Sequence, residues 1–299
     1  MSKPNIHVAI ALLFHQAKVL VGWRSATQHQ GNKHEFPGGK VEQNETPLEA
    51  CRREVFEEVG VGLNDWHTFD VICHEYDDVV VNLHLFHAAV PEALLNEIQQ
   101  PWTWYSRSEL LNLNFPKANF AILQRLYWPN QIKISEHLAE LQQLKPQQLM
   151  YWRVEHQAAD LEELEQLPAE LAANLIINWQ AWQQLTQPLK NRLAAVHLKQ
   201  HQLMALKSGE LPVGVRFIAA CHDLVAMQHA QKIGCDAILL SPVLATATHP
   251  EVSPLGWTRF EEYAQQVDIP VFALGGMRAE ALQEAQSHHA YGIAGIRFI

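Results

Sequence analysis

The 299-residue sequence has few cysteines, few positive charges and no long apolar run. Its four cysteines lie far apart without a CxxC pair, which argues against a disulfide scaffold and favours reduced thiols in the cytoplasm. The 22 Lys and Arg against 32 Asp and Glu give a net charge of −10, which argues against broad binding to duplex nucleic acid. No apolar stretch approaches the roughly 18 residues that span a bilayer, and no signal peptide is predicted.

What the sequence does contain is 48% apolar residues in two different patterns, which predict two globular domains. Residues 6–128 mix strand-like stretches with irregular loops and end in an apolar helix at about 117–127, which predicts an α+β unit with a mixed or antiparallel sheet. From Gln131 onward, eight apolar strands alternate with helical segments, which implies parallel pairing in a compact (β/α)8 barrel. We therefore expect one domain over residues 1–129 and a second over 131–299.

The most informative segment is residues 39–61, GKVEQNETPLEACRREVFEEVGV. Thr46 is a good helix N-cap, and Pro47 suits the first helical position. Glu49 completes a Thr-x-x-Glu capping box, and Gly60 stands where a left-handed C-terminal residue belongs. These signals predict a helix from about Pro47 to Val59.

Three glutamates of this helix share one face. Glu54, Glu57 and Glu58 stand at positions i, i+3 and i+4, so their carboxylates repel one another. A hard divalent cation with oxygen ligands relieves this repulsion, and Arg53 is placed to orient Glu45 from the preceding loop. The alternative interpretation is an acidic helix face that is solvated and has no ligand.

Residues 39–61 are similar to the Nudix box, G-x5-E-x7-R-E-U-x-E-E-x-G-U, in which U is an aliphatic residue. Val55 and Val61 fill the aliphatic positions, and seven fixed positions match: Gly39, Glu45, Arg53, Glu54, Glu57, Glu58 and Gly60. With each residue type at about 6–7% abundance, seven such matches arise by chance in about a few per billion windows. The resemblance implies the α+β Nudix fold and a hydrolase that cleaves phosphoric anhydrides of nucleotides, with Mg²⁺ as cofactor and Mn²⁺ as an alternative.

The segment around the box resembles the MutT type, the 8-oxo-dGTP pyrophosphohydrolases that sanitise nucleotide pools. The resemblance implies that the catalytic residues are Arg53, Glu54, Glu57 and Glu58, and that the metal ligands are the three glutamates and the Gly38 carbonyl. It also implies a set of nucleotide contacts: Arg24, His29, Glu35, Phe36, Pro37, Gly38, Asp78 and Asn119. The expected reaction is hydrolysis of 8-oxo-dGTP to 8-oxo-dGMP and pyrophosphate, which avoids mutation during DNA replication.

Two positions depart from the MutT pattern. An arginine of the family's central hairpin is Val79 here, and a late loop glutamate falls at Thr103, so the metal-ligand or base role of that glutamate is unassigned. Glu97 is the nearest acid that could substitute. For Asn119, a helix N-cap is the alternative interpretation, and it is compatible with a contact to a purine edge.

Residues 131–299 resemble the thiamine-phosphate synthase and TenI barrels along nearly their whole length. The resemblance depends on the order of four motifs: NLIINW at 174–179, AAVHLKQ at 194–200, SPVLATATHP at 241–250 and ALGGM at 273–277. It implies a small phosphorylated ligand in the barrel, with these candidate contacts: Arg153, Asn178, His222, Thr246, Thr248, Gly275 and Gly276. His222 suits acid–base chemistry of the TenI kind, or a purely structural role.

Several catalytic positions of that family are occupied by other residue types. They are the metal aspartates at Trp179 and around His201 and Gln202, the loop lysine at His249, the strand-five serine at Ala220 and a phosphate-binding serine at Arg297. Because no hard anionic oxygen is present at the metal positions, the barrel is expected not to make thiamine phosphate.

Two other hypotheses follow from the same residues. In one, the Nudix domain hydrolyses thiamine pyrophosphate analogues beside an active TenI-like barrel, although the purine-contact residues argue against it. In the other, the barrel senses a phosphorylated ligand and regulates the Nudix domain, although the three carboxylates argue for an active hydrolase.

Overall fold

The computed structural model describes residues 3–27, 31–153, 158–246 and 252–296. The chain divides into two compact units, Met1–Trp128 and Pro129–Ile299. Within the described ranges, no helix is both long and apolar enough to cross a membrane.

The first unit is built on a seven-stranded sheet. Its strands are β1 (Asn5–His15), β2 (Lys18–Arg24), β3 (Lys33–Glu35), β4 (Gly38–Lys40), β5 (His67–Glu75), β6 (Val80–Ala89) and β7 (Thr103–Tyr105). Strand β1 runs parallel to β6 and antiparallel to β2 and β4. The remaining pairs, β5 with β6, β2 with β3 and β2 with β7, are antiparallel, so the predicted mixed sheet is confirmed.

One helix covers each face of this sheet, as the alternation of β1 requires. Helix α1 spans Pro47–Val59 and α2 spans Phe120–Leu126, and short 3₁₀ helices occupy Glu92–Glu97, Glu109–Asn112 and Lys117–Asn119. Side chains such as Ala9, Ala11 and Leu13 are buried in the core under α1. The alternate side chains, such as Leu12 and Phe14, are buried in the core that contains α2.

Helix α1 has the predicted bounds because its end signals are local. The Thr46 hydroxyl accepts a hydrogen bond from the Glu49 N–H, and the Glu49 carboxylate accepts one from the Thr46 N–H at 2.8 Å. Gly60 ends the helix with a φ of 87°, a left-handed conformation that favours glycine. The residues that α1 buries are Ala50, Cys51, Val55 and Val59. The three glutamates are not among these residues, and the side chains of Glu54 and Glu57 are 16% and 57% exposed.

The second unit is a closed barrel of eight parallel strands, which confirms the (β/α)8 prediction. Its strands are β8 (Gln131–Ser135), β9 (Gln148–Trp152), β10 (Leu175–Asn178), β11 (Ala195–Leu198), β12 (Phe217–Cys221), β13 (Ala237–Leu240), β14 (Val271–Leu274) and β15 (Gly292–Gly295). Strand β15 pairs with β8 and closes the barrel. Such barrels place their ligand sites at the carboxyl ends of the strands.

Helices connect these strands. They are α3 (Ala158–Glu165), α4 (Ala169–Ala172), α5 (Trp179–Gln184), α6 (Gln187–Lys190), α7 (Gln200–Ala205), α8 (Leu224–Ile233), α9 (Gly256–Ala264) and α10 (Leu282–Ser287), with 3₁₀ helices at Leu138–Gln143 and Ala279–Ala281. Helix α8 ends at Gly234, which adopts a left-handed conformation.

Candidate functional site

The glutamate face of α1 lies against β4. A Cβ atom added to Gly39 would lie 2.1 Å from Glu54 Oε1, so only a glycine permits this close approach. Gly39 is opposite Ala9 in the pairing of β4 with β1. The lack of a side chain at Gly39 thus leaves room for the Glu54 carboxylate beside the sheet.

Arg53 connects the carboxylates of this face. Its Nη1 donates to Glu54 Oε1 at 2.8 Å and to Glu57 Oε2 at 3.3 Å. Its Nε and Nη2 donate to the two Glu45 oxygens at 2.9 and 3.1 Å, which is the pairing predicted from the sequence. These hydrogen bonds hold the pKa of Glu45 below its usual value and raise the pKa of Arg53. The guanidinium therefore stays charged and offsets part of the negative charge.

Glu58 is held by a different donor. Its Oε2 accepts a hydrogen bond from the Gly38 N–H at 3.0 Å. Partial loss of solvent around the carboxylate raises the pKa of Glu58 to about 7, and the negative charges of Glu54 and Glu35 add to the rise. Arg24 Nε donates a hydrogen bond to a Glu35 carboxylate oxygen at 2.7 Å, so the charges of these two neighbouring side chains offset each other. The cluster as a whole has more negative than positive charge.

The chemistry of these donors fits a divalent cation. Hard cations take carboxylate and carbonyl oxygens, which Glu54, Glu57, Glu58 and the adjacent Gly38 backbone supply. As the side chains stand in the described ranges, no three such groups converge closely enough to hold an ion. Arg53 Nη1 lies between two of the carboxylates, so a cation bound by both would replace its hydrogen bonds to Glu54 and Glu57.

The predicted nucleotide contacts lie on several elements of the same unit. Arg24 and Glu35 form an ion pair between β2 and β3. Phe36 is buried and stacks on Phe115 with ring centroids 4.9 Å apart. The Pro37 carbonyl accepts the Ala11 N–H at 2.8 Å, which ties the segment before the box to β1. Asp78 lies in the exposed turn between β5 and β6, whereas His29 lies outside the described residues.

Asn119 occupies the position directly before α2 but does not cap it. Its side chain makes no capping hydrogen bond to the helix, so the N-cap interpretation is wrong. The residue is only 8% exposed. Its amide carries both donor and acceptor atoms, which suits it to pair with a ligand.

The acid expected to replace the family's late glutamate is not placed at the cluster by any contact within the described ranges. Glu97 ends the 3₁₀ helix Glu92–Glu97 and is exposed, and only its carbonyl oxygen lies close to the position of a Cβ on Gly60, at 3.4 Å. Thr103 pairs with Val21 in the sheet. The substitution of that glutamate by Glu97 thus stays a prediction.

The barrel contains a cavity of 1680 Å³ among the carboxyl ends of its strands. Six of the predicted contacts line it: Arg153, Asn178, His222, Thr246, Gly275 and Gly276. Thr248, like His249 and Arg297, lies outside the described residues. Sequence reasoning missed two basic residues of the lining, Lys199 and Arg278. Their positions in the sequence could have indicated them, since Lys199 follows β11 and Arg278 follows the glycine pair after β14.

The cavity residues make contacts that constrain their chemistry. His222 Nδ1 lies 2.9 Å from the Ser241 carbonyl oxygen, which can only accept, so Nδ1 donates this hydrogen bond. Asn178 Oδ1 accepts the Ala181 N–H at 2.9 Å and caps α5. Arg153 lies 3.7 Å from Glu136, a partly compensated pair on the cavity wall.

The positions that hold metal aspartates in the synthases serve structural purposes here. Trp179 stacks on Trp182 with ring centroids 5.2 Å apart. Gln202 Oε1 accepts the Lys199 N–H at 2.9 Å at the start of α7, and His201 is exposed on that helix. None of these three side chains lines the described part of the cavity.

Comparison with known proteins gives two family matches. The family described as NUDIX domain matches residues 3–126, and the family described as thiamine monophosphate synthase matches residues 141–299. The 8-oxo-dGTP diphosphatase of Escherichia coli (strain K12) is 31% identical over 124 residues, which cover 41% of this chain and 96% of that protein. The 8-oxo-dGTP diphosphatase of Proteus vulgaris is 34% identical over 87 residues, which cover 29% of this chain and 78% of that protein.

The barrel unit also has a named relative, but the match covers a smaller share of that relative's length. The putative thiamine-phosphate synthase 2 of Aquifex aeolicus (strain VF5) is 43% identical over 77 residues, or 26% of this chain. The chain spans 41% of the length of that protein, so the match does not extend over the whole relative.

The close approach of Gly39 to Glu54 leads to a testable prediction. In Gly39→Ala, the added Cβ displaces the Glu54 carboxylate, because the two would otherwise lie 2.1 Å apart. We expect the affinity for Mn²⁺, measured by electron paramagnetic resonance titration, to fall at least about tenfold, as it does when ligand positioning is lost. Gly62→Ala is the control, because nothing lies within 4 Å of its Cβ. Equal Mn²⁺ affinities in both variants would contradict the assignment of Glu54 as a ligand.

Proposed function

Because the chain belongs to the Nudix hydrolase family through residues 3–126 and to the thiamine monophosphate synthase family through residues 141–299, we propose a specific substrate for its hydrolase unit. The first unit hydrolyses nucleoside triphosphates to the monophosphate and pyrophosphate, and 8-oxo-dGTP is its preferred substrate. The observation that carries this proposal is the register of Glu54, Glu57 and Glu58 around Arg53 beside β4. The named activity of the relatives in Escherichia coli and Proteus vulgaris supports the choice of substrate.

Mg²⁺ is the proposed cofactor of this unit, held by the three glutamates and the Gly38 carbonyl. A bound divalent cation neutralises charge on the phosphoryl oxygens and lowers the pKa of a coordinated water. Arg53 keeps Glu45 fixed and orients the carboxylates before the ion arrives. Gly38 donates its N–H to Glu58, which holds the third carboxylate at the same end of the sheet.

Asn119 is proposed to recognise the base. Asn119 is 8% exposed, and its amide carries a donor group and an acceptor, which is what a purine edge requires. The stacked Phe36 and Phe115 supply a planar apolar wall within the same core. A role in the nucleotide pool places the activity in the cytoplasm, where the four free cysteines of the chain stay reduced.

For the barrel, we propose binding of a small phosphorylated ligand without synthase activity. Lys199, Arg278 and Arg153 give the cavity lining more positive than negative charge, and Glu136 is its carboxylate among the described residues. Thiamine phosphate synthesis expels pyrophosphate and needs a cation held by carboxylates near the leaving group. The synthase ligand positions, Trp179 and Gln202, are engaged in packing and helix capping instead.

The substrate proposal is tested by pyrophosphate release from 8-oxo-dGTP, dGTP and thiamine pyrophosphate with Mg²⁺. We expect the highest kcat/KM for 8-oxo-dGTP. Preference for thiamine pyrophosphate would instead support hydrolysis of thiamine pyrophosphate analogues.

Asn119→Ala should lower kcat/KM for 8-oxo-dGTP more than for dGTP, because a base-edge contact contributes about 1–3 kcal/mol. Asn112→Ala, an exposed asparagine of the same unit, is the control. Equal losses for both purines in Asn119→Ala would show that this residue does not recognise the oxidised base.

The barrel proposal is tested by incubating the full chain with thiazole phosphate, pyrimidine pyrophosphate and Mg²⁺. We expect no thiamine phosphate, whereas calorimetry should detect thiazole phosphate binding that Lys199→Ala weakens. Lys232→Ala, which changes an exposed residue of α8, should leave this binding unchanged. Steady formation of thiamine phosphate by pure protein would overturn the proposal and show that the metal ligands lie elsewhere.

A further inference from the structure

The loop before β7 brings a tryptophan to the end of α1. Trp102 is 8% exposed, and its indole Nε1 donates a hydrogen bond to the Glu58 carbonyl at 2.8 Å. The two residues are 44 positions apart in the sequence, so the contact depends on the fold and not on a local turn. This loop ends beside Thr103, the position at which MutT relatives were expected to carry a glutamate.

The acceptor of this hydrogen bond is a helix-end carbonyl. The last four carbonyls of a helix lack an intrahelical donor, and Glu58 stands in the last turn of α1. The Gly60 N–H reaches Phe56, one turn earlier, at 3.2 Å. The indole therefore supplies a donor that the helix itself cannot supply, and it restrains the turn that carries Glu57 and Glu58.

The indole is itself fixed against the sheet. A Cβ added to Gly22 would lie 2.7 Å from Trp102 Cζ3, so the ring lies directly on the backbone of β2 at a position without a side chain. Gly22 precedes Arg24 by two residues on that strand, and Arg24 binds Glu35 at the edge of the carboxylate cluster. Trp102 thus connects the end of α1 to the strand that carries a predicted nucleotide contact.

We propose that Trp102 is a positioning residue for the metal site, acting through Glu58. Glu58 is restrained at both ends: its backbone by the Trp102 indole and its carboxylate by the Gly38 N–H. Loss of the indole N–H frees the last turn of α1 and lets the Glu58 carboxylate leave the ligand cluster. This inference rests on the proposed metal-dependent function, because it concerns how the ligand is held.

The test compares two tryptophan-to-phenylalanine variants of the full chain. Trp102→Phe keeps an aromatic ring on Gly22 but removes the indole donor. We expect the Mn²⁺ dissociation constant, read by electron paramagnetic resonance, to rise about tenfold, the lower end of the effect of lost ligand support. The Mg²⁺ concentration for half-maximal hydrolysis should rise by the same factor, while KM for the nucleotide at saturating Mg²⁺ changes less than twofold.

Trp66→Phe is the matched control. Trp66 Nε1 donates to the Leu63 carbonyl at 2.9 Å, and the ring packs against the same core, but this hydrogen bond lies outside α1. Mn²⁺ affinity in Trp102→Phe equal to that of wild type and of Trp66→Phe would overturn the proposal. A loss in both variants of the same size would also overturn it, because it would reflect general loosening of the core.

A second variant displaces the indole without altering it. Gly22→Ala introduces the Cβ that meets the ring, so it should also raise the Mn²⁺ dissociation constant. The double variant, Gly22→Ala with Trp102→Phe, should have a dissociation constant no higher than that of Trp102→Phe alone. If Trp102→Phe does not fold, the Mn²⁺ titration of Gly22→Ala tests the proposal. If the wild type binds Mn²⁺ but hydrolyses no nucleotide, the proposed function fails while the Mn²⁺ comparison still decides the role of Trp102.

Discussion

Arg53 donates hydrogen bonds to Glu45, Glu54 and Glu57, so one guanidinium offsets part of the charge of three carboxylates. Several other features of the first unit hold α1, the helix that carries Arg53, in its position. The capping box and Gly60 fix the length of α1, its apolar face anchors it to the sheet, and Gly39 leaves room for Glu54. Without these restraints, like charges on one helix face would separate into solvent. Held together, they present the carboxylate oxygens that a hard divalent cation would require.

The described lining of the barrel cavity differs from the carboxylate cluster of the first unit in the sign of its charge. Lys199, Arg278 and Arg153 line its cavity, with Glu136 as the carboxylate of the described lining. A parallel barrel gathers the ends of eight strands at one mouth, so side chains from distant segments meet there. Trp179 and Gln202 are used for packing and capping, and the described lining of the cavity has more positive than negative charge.

The parts of the fold that depend on local signals were predictable from the sequence. The bounds of α1 follow from Thr46, Pro47 and Gly60, which act within a few residues of one another. The eight barrel strands were predicted because each is a short apolar run between helical segments. Their exact ends depend on backbone conformation: strand β14 stops at Leu274, because the two glycines that follow adopt positive φ values and leave the ladder.

Contacts between distant segments were not predictable in the same way. The alternative interpretation of Asn119 as a cap of α2 failed, because Asn119 ends the 3₁₀ helix Lys117–Asn119 and has helical backbone angles, whereas an N-cap residue is usually extended. The indole of Trp102 reaches Glu58 only because the pairing of β2 with β7 brings the two together. Hydrophobic periodicity contains no information about such pairings, since they depend on which strands become neighbours.

The central claim is that carboxylates of α1 hold the cation that drives hydrolysis, and Glu54→Gln tests it most directly. This change keeps the shape of the side chain but removes one charge from the cluster. In saturating Mg²⁺, we expect kcat for nucleoside triphosphate hydrolysis to fall at least about 100-fold, which corresponds to roughly 2.7 kcal/mol. Turnover close to that of the wild type, with the fold intact by circular dichroism, would contradict the account.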